Sequence, residues 1–294
     1  NEFEDNPKLR FFIGDVRDRE RLFRAMEGVN VVFHAAALKH VPVVEYNPFE
    51  AIQTNVIGSQ NVIDASHREN IEYCVAIGTD KAVSPVNVYG ATKLLMEKLF
   101  VSANNYVDTI KYSTKFLATR YGNVLGSSGS VVPKFIQQIK NNQKITVTDP
   151  KMTRFTITID DALDFILNSV SESQGSETFI PKLKAYNIMD LKDALISTLG
   201  DSQFEIIGIR PGEKMNETLI NKTEMDYTIE NEKKFILLRP ELFASEKLKY
   251  HNYTVPNEIS EHSSDVVEKL TVNEIKNLIL KAGILESTSN NSVS

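Results

Sequence analysis

Continuous apolar runs of strand length alternate with longer stretches of helical periodicity through the first 120 residues, and few folds accommodate that alternation. Residues 9–13 read as a strand, and 18–27 as an amphipathic helix closed by Gly28. Residues 29–34 form an apolar strand running into Ala35, Ala36 and Ala37. A helix over 48–66 carries Asn55, and a strand over 72–77, a helix over 88–101 and a strand over 112–120 follow. Strands that are apolar without alternation are buried on both faces, which is the signature of a parallel sheet between helical layers. The fold class expected is therefore α/β, a Rossmann-like doubly wound parallel sheet. Such sheets bind ligands beyond the carboxyl ends of their strands. Three predicted strand ends carry chemistry: His34-Ala35-Ala36-Ala37, Gly78-Thr79-Asp80-Lys81 and Arg120-Tyr121-Gly122-Asn123.

The second of these is the richest. Thr79, Asp80 and Lys81 end a strand, and Tyr89 and Lys93 follow at i and i+4 on the next helix, on one face. A phenol is a weak base at neutral pH, and a neighbouring cation lowers its pKa. Lys93 is expected to do this for Tyr89, fitting the phenolate to take a proton from a hydroxyl group. Each piece also has a plain structural reading. Tyr-x-x-x-Lys is a common surface pair, Asp80-Lys81 could be a loop ion pair, Asp15 a turn cap and Asn55 a satisfied buried amide. Ala35–Ala37 could reflect close packing alone, Lys39 and His40 solvated loop residues.

Composition narrows the remaining classes. A net charge of −6 without a basic stripe argues against nucleic acid as a partner. No apolar run reaches the roughly 18 residues of a membrane span. Five scattered histidines and one cysteine offer no metal-ligand spacing, so no metal is expected. The lone Cys74 sits among apolar neighbours as a buried thiol, which suits a reducing cytoplasm.

The second half changes character. Residues 122–130 are rich in Gly and Ser, and 131–140 form a helix. Short strands over 145–147 and 178–181 flank a helix over 160–171, and further elements follow at 190–199, 204–207 and 212–219. This pattern predicts a smaller α/β lobe over the crevice, with the 160–171 helix returning to the main sheet. Residues 287–294, rich in Ser and Asn, are expected to be a disordered tail. No Gly-x-Gly-x-x-Gly turn occurs. The chain is therefore expected to lack a first strand–helix–strand unit and to bind a dinucleotide weakly.

Seven motifs occur in order. They are Gly14-Asp15-Val16-Arg17-Asp18, the run from His34 to Pro42, Thr79-Asp80-Lys81-Ala82, Tyr89-Gly90-Ala91-Thr92-Lys93, Arg120-Tyr121-Gly122-Asn123-Val124, Met152-Thr153-Arg154-Phe155, and Ile209-Arg210-Pro211-Gly212-Glu213-Lys214. Together they resemble the UDP-N-acetylglucosamine 4,6-dehydratase group of extended short-chain dehydrogenases/reductases. Within that group the likeness is to the inverting branch, which opens pseudaminic acid biosynthesis. The resemblance runs from about Pro7 to Leu219. Gly78 departs from it, standing where relatives usually carry Ser, so one hydrogen bond is expected to be looser. Retention of Tyr89, where membrane-anchored relatives often have Met, favours the inverting branch.

The resemblance implies a division of labour. Tyr89 with Lys93 would take the C4 hydroxyl proton, and Thr79 would hydrogen-bond that hydroxyl. Lys81, as a neutral amine, would remove the C5 proton, and Asp80 would protonate the departing C6 hydroxyl. Burial near Lys93 is expected to lower the Lys81 pKa as this requires. Asp15, Val16, Ala35, Ala36, Ala37, Asn55, Tyr89, Lys93, Tyr121 and Asn123 would bind NADP, with NAD the alternative. Lys39, Lys81, Asn123, Arg154, Arg210 and Glu213 would bind UDP-N-acetylglucosamine or a related UDP-sugar. Residues 1–124, with 155–180 returning, would form the NADP-binding domain, and 125–154 with 181–286 the substrate lobe, in a cytoplasmic homo-oligomer. The rival readings are a retaining UDP-sugar dehydratase, a UDP-sugar 4-epimerase, and a non-catalytic nucleotide-binding fragment. Asp80-Lys81 favours elimination, because epimerisation needs only the Tyr, Lys and Thr.

Overall fold

A computed structural model describes residues 6–108, 110–257 and 260–287. Its main sheet has six strands in the order Val31–His34, Tyr73–Ile77, Lys115–Thr119, Thr178–Pro181, Lys234–Leu237, Thr228–Glu230. The first four run parallel, Lys234–Leu237 runs against them, and Thr228–Glu230 runs against Lys234–Leu237. Successive side chains of a strand point to opposite faces, and both faces here are apolar. Cys74, Ala76, Phe116 and Ala118 pack under the helices Arg19–Met26, Gly58–Arg68 and Val88–Val101. Val75, Leu117 and Phe179 pack on the other face, against Ile166 of the Ile159–Glu172 helix. The two-sided burial read from continuous apolar strands holds for the strands from Tyr73–Ile77 inward, while the edge strand Val31–His34 leaves Phe33 exposed.

A separate core lies in the smaller lobe, where the helices Val131–Lys140, Ile188–Leu199 and Val272–Lys281 enclose Ile145 and Val147. Residues 228–237, placed in that lobe by the sequence division, instead extend the main sheet: Lys234–Leu237 pairs with Thr178–Pro181, and Thr228–Glu230 pairs in turn with Lys234–Leu237. Their apolar residues Ile229, Phe235 and Ile236 are buried there.

Three expected elements differ, one of them 212–219, which is turn and coil up to Glu217 before the strand Thr218–Ile220. Residues 9–13 are not a strand: they are coil, with Phe11, Phe12 and Ile13 exposed. A strand needs a ladder partner, and among the described residues Val31–His34 is the outermost strand on that side. The helix expected over 48–66 begins earlier, as the turns Val41–Tyr46 and Pro48–Ala51, and passes through a π-helical segment, Ile52–Ile57, before Gly58–Arg68. Gly58 admits the Val16 side chain, which would lie 2.6 Å from an added Cβ. Of the tail expected to be disordered, Ser287 closes a helical turn from Ile284, and 288–294 lie outside the described residues.

Two core histidines make stability depend on pH. His34 stacks on Phe100 and shares a 2.8 Å hydrogen bond with Ser59 Oγ. His262 lies against Phe155 and Phe235. Burial lowers both to about 4, helped by Lys93 at His34 and by Lys182 at His262. A histidine depressed on folding contributes stability that is whole above its unfolded value near 6.5 and is lost as pH falls toward 4. At pH 5 each ring should cost about 2 kcal/mol relative to pH 7. His262→Phe, which removes a ring whose Nε2 has no partner, should therefore lose less melting temperature between pH 7 and pH 5 than the parent. Equal losses would show that the ring does not titrate on unfolding.

Candidate active site

The site grows out of the second strand's carboxyl end. After Ile77 the chain closes against its neighbour, with Gly78 N donating to Thr119 O at 2.7 Å and Asp80 N to Tyr121 O at 3.1 Å. Gly78 permits this: a Cβ there would sit 2.2 Å from the Thr119 carbonyl oxygen. Thr79 caps a single 3-10 turn, Asp80–Ala82. Asn87 then starts the Val88–Val101 helix by accepting from Gly90 N, while its amide donates to Gly212 O at 2.7 Å. One side chain thus starts the helix and ties it to the smaller lobe.

The Asp80 carboxylate is fully buried. Its Oδ1 accepts from Thr79 Oγ1 at 2.9 Å and from Lys81 Nζ at 3.0 Å, and its Oδ2 has no partner. Lys81 Nζ also donates to Asn123 Oδ1 at 3.1 Å and lies 3.8 Å from Glu217 Oε1. Burial works to lower the Lys81 pKa, but Asp80 and Glu217 outweigh it and the net shift is upward. The neutral amine expected from the sequence is therefore an ion-paired ammonium, because two carboxylates, not the second lysine, are its nearest charges.

Tyr89 departs from expectation for a related reason. Its pKa is raised, chiefly by burial, with Lys81 acting in the opposite direction. Lys93 does share its helix face, but its ammonium turns to the sheet, donating to Ile77 O at 2.7 Å and Met96 Sδ at 3.0 Å. Burial lowers Lys93 to about 8. The cation that favours the Tyr89 phenolate is Lys81.

A cavity of about 640 Å³ opens in front of these groups, a size suited to a small-molecule ligand. Thr79, Lys81, Tyr89, Tyr121 and Asn123 line one side. From the lobe and loops come Lys39, Arg154, Arg210 and Glu213. Burial pushes Tyr121 up to about 12. Lys39 donates to Ser128 O at 2.9 Å. Arg154 proves poorly suited to phosphate. Its Nη1 donates to Thr153 O and Met215 O, and its Nη2 to Lys214 O and Met152 Sδ, so the fork holds the 214–215 loop.

The remaining predicted cofactor residues lie outside the cavity wall. Ala35 and Ala36 are exposed beyond the first strand. Asn55 is the satisfied amide: it accepts from Leu38 N, and donates to Leu38 O and Thr92 Oγ1, fixing the loop that follows Ala37. Asp15 is exposed and paired with Arg17 at 2.7 Å, which holds its carboxyl below the usual range. Val16 is half-buried against Gly58. Three charged lining residues were given no role in the sequence reading: Lys134, Lys214 and Glu217. Lys134 falls within an otherwise core-facing helix. Glu217 is a charge directly preceding the buried Thr218–Ile220 strand, and that adjacency was the available signal. Among the described residues no His, Cys, Asp and Glu cluster could hold a metal, and no helix is long and apolar enough to cross a membrane.

Residues 1–239 match the model of the polysaccharide biosynthesis protein family. The chain belongs to that family. Its α/β fold, with a mostly parallel central sheet, is shared by solved nucleotide-sugar dehydratases and epimerases. It is 50% identical over 227 residues to UDP-N-acetylglucosamine 4,6-dehydratase (inverting) of Campylobacter jejuni, which covers 77% of this chain and 66% of the relative. The chain thus spans about two thirds of that relative's length. It is 38% identical over 282 residues to UDP-glucose 4-epimerase of Rickettsia rickettsii, covering 94% of this chain and 81% of the relative. Among solved structures, Pen from Bacillus thuringiensis is similar with a TM-score of 0.88 and 40% identity, over 96% of this chain and 85% of that one.

Proposed function

We propose that this family member carries the active site of an inverting UDP-N-acetylglucosamine 4,6-dehydratase, making a UDP-2-acetamido-2,6-dideoxy-4-hexulose. The observation that carries the reading is the Asp80–Lys81 pair, hydrogen-bonded at 3.0 Å beside a cavity that Tyr89 also lines. Epimerisation at C4 uses a phenol and a hydride carrier, and has no task for an acid–amine pair. Elimination needs both an acid for the leaving hydroxyl and a base for C5. Lys39, Lys134 and Arg210 line the same cavity, and their charge suits the diphosphate of a UDP-sugar.

The paired ammonium is compatible with this chemistry. Moving one proton along the 3.0 Å hydrogen bond from Lys81 Nζ to Asp80 Oδ1 leaves an amine and a carboxylic acid, the two forms elimination requires. The amine then takes the C5 proton, and Asp80 gives its proton to the C6 hydroxyl, which leaves as water. Thr79 orients Asp80 through its 2.9 Å hydrogen bond. Asn123 holds Lys81 by accepting one of its protons.

The residues present fit the nicotinamide end of NADP, with NAD as the alternative. Lys93 has committed two of its three N–H groups, and exposed, small Ala35 and Ala36 leave an open shelf at the strand ends. Bound there, the nicotinamide would supply hydride acceptance at C4 and hydride return at C6, together with a positive charge favouring the Tyr89 phenolate. A cytoplasmic homo-oligomer acting before pseudaminic acid is part of the proposal.

Incubation with UDP-N-acetylglucosamine and NADP or NAD tests it. A 4-keto-6-deoxy product, with C5 configuration read by NMR, is expected. UDP-N-acetylgalactosamine would establish the epimerase instead, and unchanged substrate with retained binding the non-catalytic reading.

A further inference from the structure

Elimination as proposed above requires the proton shared by Asp80 and Lys81 to change sides, and something must govern where it rests. Glu217 stands against the pair. It is 3% exposed, and its Oε1 lies 3.8 Å from Lys81 Nζ and 3.9 Å from Arg154 Nε. Its Oε2 is buried with no hydrogen-bond partner, although the residue reaches the cavity wall. The main chain is clamped on both sides by Ser264, whose Oγ accepts from Glu217 N at 2.9 Å and whose N donates to Glu217 O at 2.7 Å. Such a clamp fixes the carboxylate's origin independently of its charge.

We propose that Glu217 is the positioning residue that determines whether the shared proton rests on the Lys81 nitrogen or on the Asp80 oxygen. This rests on the dehydratase reading for its role in turnover, though not for its effect on Lys81. An ionised carboxylate within 4 Å of an ammonium favours the ammonium by Coulomb attraction that burial strengthens. While Glu217 is charged, the proton stays on nitrogen. Once that charge is quenched, the amine and the acid become accessible together. The groups facing Glu217 come from every neighbouring element: Lys81 and Asp80 from the strand-end turn, Arg154 from the Thr153–Ile157 strand, and Lys214 from its own loop. Glu213 stands on the far side of Arg154, at 3.8 Å. Burial raises the Glu217 carboxyl, Lys81 and Arg154 oppose this, and Asp80 adds to it. A group balanced in this way can change its charge as a substrate fills the cavity.

Glu217→Gln keeps the side chain's shape and removes its charge. Competitive acetylation of Lys81 across pH, read by mass spectrometry without substrate or cofactor, should show its titration midpoint falling by about one unit or more. Glu217→Asp, which retains the charge, should shift it less. With UDP-N-acetylglucosamine, the acid limb of the pH profile for 4-keto-6-deoxy product should move down by a similar amount in Glu217→Gln. An unmoved Lys81 midpoint would overturn the proposal, as would equal shifts in the two variants. A uniform loss of activity at every pH, indicating a merely structural role, would overturn it too. If the unsubstituted protein yields no keto sugar, the dehydratase reading fails, and the acetylation midpoints still decide the role of Glu217.

Discussion

Lys81→Ala should abolish water loss while sparing the oxidation that precedes it. With UDP-N-acetylglucosamine and cofactor, the variant should form the 4-keto-6-deoxy sugar at least 10²-fold more slowly, the usual cost of removing a positioned acid–base group. Reduced nicotinamide should build up in a single turnover, because hydride leaves C4 and has no C6 acceptor to return to. Two features make the expected loss specific. Lys81 is the amine bonded to Asp80, and it is also the cation that favours ionised Tyr89. Some slowing of the oxidation is thus expected, smaller than the block on elimination. Lys81→Arg separates the two roles, since guanidinium supplies charge without a usable base. It should oxidise C4 at near the parent rate and still stall. If Lys81→Ala gave the keto sugar at the parent rate, the base would have to lie elsewhere and the assignment of the pair would fall.

Arg120→Ala should be the most damaging substitution to the fold. The guanidinium, wholly buried at the end of the third strand, donates to Glu97 at 2.5 and 3.1 Å, to Glu224 at 2.9 and 3.0 Å, and to Leu219 O at 2.8 Å. Glu97 belongs to the helix that carries Tyr89 and Lys93, and Glu224 follows the lobe strand Thr218–Ile220. Removing the cation leaves buried carboxylates facing each other, which costs about 3–5 kcal/mol. For a chain of this size that corresponds to a fall in melting temperature of roughly 10 °C, measurable by calorimetry. Arg120→Lys keeps one charge but lacks the fork that serves three partners, and should lie between the two. A melting point within a degree of the parent would show that the network contributes nothing net, as paired buried charges sometimes do.

Both substitutions bear on what could be read from the chain alone. The Val88–Val101, Val131–Lys140 and Thr178–Pro181 elements follow the sequence pattern to the residue, because their apolar spacing is a local fact. Residues 9–13 have the same local pattern and form no strand, since a ladder depends on a neighbour that local pattern does not supply. Thr79, Lys81 and Tyr89 share a cavity because each lies just past one strand end, which is legible. The protonation states were not. Lys93 stands four residues from Tyr89 on the same helix face, yet its ammonium bonds the Ile77 carbonyl. Arg154 occurs in a motif suited to phosphate, yet it spends its fork on the 214–215 loop.

The amino-acid sequence by itself determined that this chain makes a two-faced, mostly parallel sheet with an acid, an amine and a phenol following one strand end. Such features follow from periodicity and from the direction in which strands run. Only the tertiary structure decided which charges meet. Glu217 approaches Lys81 from 136 positions further along the chain, and at buried sites the nearest charge, not the nearest residue in sequence, sets where a proton rests.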